Sequence, residues 1–474
     1  MGSRSNLLPL HGDLKKAPIS EIRTFDKEQE KVKKYLSKFN GNISLSTDAL
    51  RAVSMDQYLS VNIHFINDNW ELKKWVIEYC CLDELDVKIN PNNVIKNALE
   101  EYGIDEKLLT VTLSEFLEFK IFAKFLRCET RSKRRLPLNG QLFTVHCSSE
   151  IISMTMKKGF EGIQSIISKV KRIYWPESLP LWNLTSDKLS EAMVMEAEGL
   201  FRWLDPSCSG KVVPLKEDWD KVKGVCTIAN RMYEIVKGLF EIENPTANLF
   251  LPYMREILVY LTEESENSDA FVSSVATNML EYYKRFYNDM HLLYSIAAFL
   301  DPRYKLKLVN FCLSDTNRTT VILDHIRAIY NGYAVSGTSS ENEEENGDKK
   351  PEKVDVEKKY CLSIRSTDDK PSKLDLDLYL EEPVFPWVKN FDVLQWWKYN
   401  CFKFPQLSKM AQDYLAIPLS VVSCDEAYLM EERKADNTLS TYSPLLLKAV
   451  QCLKSWNPDF KVVPDTKTWN PDTE

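Results

Sequence analysis

Apolar positions fall into three regimes along the 474-residue chain. Period-two runs come first: Ile43–Thr47 (ISLST), Tyr58–Phe65 (YLSVNIHF) and Trp70–Tyr79 (WELKKWVIEY) alternate β-branched or aromatic residues with polar ones, and Asn67-Asp68-Asn69 supplies a hairpin turn. Leu108–Thr112 (LLTVT) and Gln141–Val145 (QLFTV) predict two more strands. Helical patterns stand between and around them: Glu21–Phe39 as an exposed amphipathic helix with i, i+4 acid–base pairs, then Val94–Tyr102, Glu115–Arg127 and Ser149–Ile173. Three antiparallel strands followed by alternating helix and strand is the order of an RNase H-like core. From Thr185 to about Tyr333 the period is 3.6 throughout, as in Trp219–Phe240, Ala247–Leu261 and Ala270–Leu300.

The third regime has no periodicity. Ser336–Asp369 is acidic and punctuated by Gly, Ser and Pro, too poor in apolar residues to bury a surface, and reads as a disordered linker. A compact aromatic block follows, predicted helical throughout. The resulting division is a leader and helix over 1–39, a first part of the α/β core over 40–175, a helical insertion over 176–335, a linker over 336–372, a block over 373–460 that completes the core, and a tail over 461–474.

Composition narrows the class. A hydrophobic fraction of 44% with 27% charged residues suits a globular protein, and no run approaches the ~18 apolar residues of a membrane helix. The eleven Cys are scattered and odd in number, so reduced thiols of a cytosolic or nuclear compartment fit better than a disulfide framework. The sequence has five His and no C-x2-C pair followed by a His pair, which excludes a zinc finger of the usual spacing from it. Phosphate-cradling loops and His-based catalysis have little raw material, and no cofactor is expected. A formal charge of -8 requires any nucleic-acid contact to be local. The concentrated basic run is Arg131-Ser132-Lys133-Arg134-Arg135, with Arg131, Lys133, Arg134 and Arg135 readable as a nuclear-import signal, a phosphate contact or a solvated loop.

Leu374–Tyr428 carries the most specific pattern: an acidic Leu–Tyr segment, Phe391-Asp-Val-Leu-Gln-Trp-Trp-Lys398, Phe404-Pro-Gln-Leu-Ser-Lys-Met-Ala411, Ile417-Pro418 and Ser423-Cys-Asp-Glu-Ala-Tyr428. This block resembles the C-terminal dimerisation region of hAT-superfamily transposases, in particular the domesticated, DAYSLEEPER/RICESLEEPER-like plant group. Pro245-Thr-Ala-Asn-Leu-Phe250, Leu300-Asp-Pro-Arg-Tyr-Lys305 and Leu181-Trp-Asn-Leu-Thr185 resemble further family motifs in the family's order. The resemblance implies an RNase H-like core split by an all-helical insertion, with C-terminal dimerisation helices contributed by Leu378, Tyr379, Leu380, Phe391, Leu394, Trp396, Trp397, Phe404, Leu407, Met410 and Ala411. The family's BED zinc finger is not matched, since the chain starts at the helix before the first strand, so no DNA-reading module is evident.

In active members of the family three acids bind two metal ions, which demand negatively charged oxygen ligands. By resemblance Asp48 stands at the first position, Ser114 at the second and Asp425 at the third. A neutral hydroxyl is a poor bridging ligand; Glu115 and Glu426 are neighbours whose side chains leave the strand or helix in other directions. Cys147 keeps the family's Cys-x-x-His cysteine while Glu150 replaces the His, and Trp182 persists either as a core residue or as the family's base-flipping tryptophan. These substitutions predict a degenerate site with no catalytic residues: a nuclear, dimeric regulatory protein that homodimerises or pairs with related hAT proteins, with DNA as an additional partner and no membrane association. The alternative is a metal-dependent DNA-cleaving enzyme with a rearranged acidic triad.

Overall fold

Alternating residues in the N-terminal third build one five-stranded sheet. In the computed structural model its strands are β1 (Ile43–Arg51), β2 (Gln57–Ile66), β3 (Leu72–Cys81), β6 (Leu108–Leu113) and β7 (Thr144–His146), in the order β3-β2-β1-β6-β7. A two-residue ladder, β4 (Asp83–Glu84) with β5 (Val87–Lys88), follows β3. Pairing is antiparallel from β1 to β2 to β3 and parallel from β1 to β6 to β7. The structure describes residues 19–51, 56–84, 87–113, 117–175, 181–200, 214–242, 246–313, 316–338, 374–388, 391–421, 428 and 443–460.

Each face of the sheet has its own cover. Leu59, Val61, Ile63 and Phe65 of β2, with Leu45 of β1 and Val111 of β6, pack under α1 (Ile19–Lys38), α2 (Pro91–Glu101) and α3 (Leu117–Lys133) through Val32, Leu36, Ile95, Leu99, Phe122 and Leu126. Helix α1 is therefore partly buried rather than the free surface helix its charge pattern predicts. Its last carbonyls are capped by Lys107, whose Nζ donates to Leu36 O at 2.6 Å and to Phe39 O at 2.6 Å.

The helical regime comprises α4 (Ser148–Glu161), α5 (Gln164–Ile173), α6 (Trp182–Ala197), α7 (Lys216–Phe240), α8 (Phe250–Ser265), α9 (Ala270–Phe299), α10 (Lys305–Leu313) and α11 (Thr316–Thr338). The predicted single helix over 149–173 is two, broken at Gly162. Gly159 lets α4 approach α9, because a Cβ there would lie 2.9 Å from Met279 Sδ. Helix α11 runs past the predicted domain boundary at 335, and the acidic segment beyond Thr338 lies outside the described residues.

The C-terminal block is less helical than predicted. It holds α12 (Asp375–Glu381), α13 (Val393–Asn400), α14 (Pro405–Leu415) and α15 (Pro444–Trp456), with 383–388 free of helix. Pro383 and Pro386 remove two backbone donors from that stretch. Helix α15 lies along the outer edge of β3, where Ser455 Oγ accepts from Val76 N at 2.9 Å and Lys448 pairs with Glu78 at 2.7 Å. An otherwise open strand edge is thereby closed.

Candidate functional site

The second face of the sheet is polar, and it is buried. Ser44, Ser46 and Asp48 of β1 share that face with Ser60, Asn62 and His64 of β2 and with Thr110 and Thr112 of β6, and all eight are buried. They satisfy one another: Ser46 Oγ lies 2.8 Å from His64 Nε2, Thr110 Oγ1 donates to Ser44 Oγ at 2.9 Å, and Ser60 Oγ donates to Asn62 Oδ1 at 3.1 Å. Burial, with Lys74 across the ladder adding repulsion, holds the His64 imidazole well below its usual range, so it is neutral.

Asp48 ends this row. It is 8% exposed and stands opposite Ser60, and burial, with the Asp48 charge adding to it, raises the Tyr79 phenol one strand further out. The β1–β6 ladder ends at Thr47 opposite Leu113, and Leu113 in turn pairs with His146 of β7. Leu113 and His146 thus mark the carboxyl ends of β6 and β7, and Asp48 stands inside β1 one residue past the end of the β1–β6 ladder, on the side at which open α/β sheets place ligand sites.

Residues 416–421 come back to this edge. Thr112 Oγ1 donates to Pro418 O at 3.2 Å, Ser148 N donates to Leu419 O at 2.9 Å, and Val421 N donates to Cys147 Sγ at 3.4 Å. Ser149 and Ser420 hydroxyls pair at 2.5 Å beside the same sulfur. Burial pushes the Cys147 thiol up, and the Glu150 charge adds to that, which makes it an unreactive packing group. His146 faces Phe286 edge-on at 5.1 Å and is 3.9 Å from Asp289.

Of the predicted acids, only Asp48 is among the described residues. Ser114, Asp425 and their neighbours Glu115 and Glu426 lie outside them. No group of three His, Cys, Asp or Glu suited to a metal ion occurs among the described residues. Trp182 is fully buried in the first turn of α6, where its backbone N–H donates to Tyr428 O at 2.9 Å and its ring meets Tyr233 and Tyr428 edge-on.

The remaining motifs build a polar hub that holds the C-terminal block. Asp301, wholly buried after α9, accepts from Arg303 Nε at 3.0 Å, Arg303 Nη2 at 2.7 Å and Asn248 Nδ2 at 2.7 Å. Lys305, at φ 47°, sends its ammonium to Tyr379 O at 2.5 Å and Glu382 O at 2.9 Å, over the Tyr379 ring. Burial lowers its pKa to about 8. Trp397 Nε1 donates to Leu300 O at 2.8 Å, Tyr379 Oη to Phe299 O at 3.0 Å and Phe385 N to Pro302 O at 2.8 Å. The short motif Leu300–Lys305 is the socket for α12 and α13, a role its polar residues disclose only when the two segments are seen together.

Two buried aspartates complete the docking. Asp375 Oδ2 accepts from Gln406 N at 2.7 Å and Leu407 N at 3.1 Å, capping α14 from a distant helix, and its other oxygen accepts from Tyr330. Asp413, its carboxyl raised by burial, accepts from Asn42 N at 2.9 Å and Tyr333 Oη at 2.5 Å, while Asn42 Oδ1 accepts from Arg134 Nη1 at 2.6 Å. Arg134, read from sequence as a surface contact, is thus an internal tie, and Lys133 pairs with Asp105 at 2.6 Å. Arg131 and Arg135 are exposed.

The predicted dimerisation residues divide by exposure. Tyr379, Trp397, Phe404, Leu407, Met410 and Ala411 are buried in the chain's own core, Leu380, Phe391, Leu394 and Trp396 are half-buried, and Leu378 is exposed. Trp387, Tyr399 and Phe402, which the sequence offers as core or dimer-interface aromatics, are exposed at 71%, 74% and 52%, and Val388 beside them in sequence at 47%.

Three sequence families match the chain in succession: a ZBED1 RNase-like domain over residues 46–142, the hAT-like transposase RNase-H fold over 248–333, and the hAT family C-terminal dimerisation region over 375–457. Fold and matches together make the chain similar to hAT transposase-like proteins, with matches to their RNase-H fold and to their C-terminal dimerisation region. Within that class the chain is a homologue of the domesticated plant group. It is 26% identical to zinc finger BED domain-containing protein RICESLEEPER 1 of Oryza sativa over 93% of this chain and 68% of that protein. To DAYSLEEPER of Arabidopsis thaliana it is 27% identical over 92% and 66%. A putative AC transposase of Zea mays is 22% identical over 90% and 58%. No helix among the described residues is long and apolar enough to cross a membrane.

Proposed function

We propose that the chain is a catalytically inactive, transposase-derived protein that acts in the nucleus as a dimeric interaction and regulatory factor. The observation that carries this reading is the exposure of four large apolar side chains, Trp387, Val388, Tyr399 and Phe402, inside the segment that matches the hAT dimerisation region. Large aromatic groups left in water on an otherwise well-packed block favour a covering partner. In this reading the second copy covers those side chains, while Tyr379, Trp397 and Phe404 shape the block from within. The RNase H-like core is 40–175 completed by the C-terminal return, and 176–335 is an insertion whose α4–α9 packing and Leu300–Lys305 socket hold both parts. Loss of activity follows from Ser114 at the second acid position.

Light scattering on the purified chain tests the dimer: twice the chain mass is expected for wild type, and a monomer at micromolar concentration sinks the reading. Catalysis is tested by incubating supercoiled DNA with the protein and Mg²⁺ or Mn²⁺. We expect no nicking above that of Asp48→Ala. A second reading, a metal-dependent nuclease that recruits Asp48 and Asp425, is favoured by the return of residues 416–421 to the Asp48 edge, and nicking abolished by Asp48→Ala would establish it.

A further inference from the structure

We propose that residues 382–386, in the helix-free stretch between α12 and α13, are a ligand for a polyproline-II-reading domain of the SH3, WW or EVH1 kind, whose aromatic groove takes Pro383 and Pro386. The sequence Glu-Pro-Val-Phe-Pro sets this conformation through its covalent geometry. Each proline ring holds φ at about −65°. Glu382 and Phe385 each precede a proline, where a clash with the ring steers the backbone away from the helical region. Glu382 has φ −65° and ψ 141°, beside the polyproline II values of about −75° and +145°. Only Val384 in the motif lacks such a bias of its own.

The fold then fixes the segment in place. Lys305 Nζ donates to Glu382 O at 2.9 Å, Phe385 N donates to Pro302 O at 2.8 Å, and the Phe385 and Phe391 rings meet at 5.1 Å. Polyproline II has three residues per turn and rises about 3.1 Å per residue, so Pro383 and Pro386 share one edge about 9 Å apart while Phe385, tied inward, stands on another. Both prolines are exposed. A ligand held in its bound shape beforehand loses little conformational freedom on docking.

Other occupants fit this edge less well. A partner strand needs backbone donors along the segment, and the prolines remove them at 383 and 386. The second copy of the preceding reading covers Trp387 and Val388, which follow the motif, so the proline edge goes beyond the dimer and does not rest on it. Glu381, exposed in the last turn of α12, puts a carboxylate at the N-terminal end of the segment, and a cation on the rim of the reading groove complements it.

The test titrates a panel of purified, isotope-labelled SH3, WW and EVH1 domains with the unlabelled full chain and follows the resonances of each domain's groove tryptophan and tyrosine. Perturbation of the groove in at least one domain is expected, and an excess of a free proline-rich peptide that fills the same groove should displace the chain. In Pro383→Ala/Pro386→Ala the affinity should fall by about tenfold or more, whereas Val384→Ala, between the two prolines, should keep it within about twofold. Circular dichroism checks that both variants fold; should the proline variant unfold, the peptide competition on the wild-type chain still decides. Light scattering should give both variants the wild-type mass, whichever that is, which separates failure of this edge from failure of the dimer. No perturbation in any domain, failure of the peptide to compete, undiminished binding by the proline variant, or equal losses in both variants would each overturn the assignment. A proline variant that folds but changes oligomeric mass would give the segment to the second copy and overturn it as well.

Discussion

Asp301 shows what a single residue contributes here. Its carboxylate, wholly buried, receives a two-pronged guanidinium from Arg303 and an amide from Asn248. Breaking one partner of such a pair leaves a buried charge behind, so Asp301→Ala should lower unfolding free energy by about 3–5 kcal/mol, measured by urea denaturation. His64 makes a second residue-scale prediction. Its folded pKa lies well below 6.5, so the unfolded chain takes up a proton that the folded one refuses. Its contribution to stability is complete above pH 6.5 and is lost as pH falls through and below that value, at up to about 1.4 kcal/mol per pH unit. His64→Gln should flatten the stability profile between pH 6.5 and 5; an unchanged slope would assign the acid sensitivity elsewhere.

At the scale of elements, the C-terminal helices divide between packing and presentation. Trp397 is sealed inside, donates to Leu300 O and stacks on Trp70 at 6.3 Å. Trp70 itself sits in the β2–β3 turn at φ 63°, a strained position for a bulky residue that this burial maintains. Trp397→Ala should therefore cost about 3–5 kcal/mol of stability and lower the thermal midpoint. Trp387→Ala/Tyr399→Ala should leave stability within about 1 kcal/mol of wild type and convert dimer to monomer in light scattering. The reverse pattern would move the interface away from these exposed side chains. The paired Trp396-Trp397 aromatics stand out in the sequence, yet period and composition do not distinguish a helix's inward stripe from its outward one when both are aromatic. That distinction depends on what lies across from it, here the Leu300–Lys305 loop.

For the whole molecule, segments far apart along the chain meet beside the start of β1. Asn42 before β1, Arg134 after α3, Tyr333 in α11 and Asp413 in α14 share one buried network. Strand existence, the long helices α7 and α9, and the hAT lineage were legible in the sequence because each rests on local periodicity or on a short ordered motif, and both survive without knowledge of the fold. Asp48, expected at a strand end, lies inside β1, which runs on to Arg51. Local pattern could not disclose that Ser44, Ser46, Asn62 and His64 line a buried polar face, that Arg134 is internal while Arg131 is not, or that Leu300–Lys305 is a socket. Each of those depends on a partner tens to hundreds of residues away, and hydrogen bonding and burial act through space rather than along the chain.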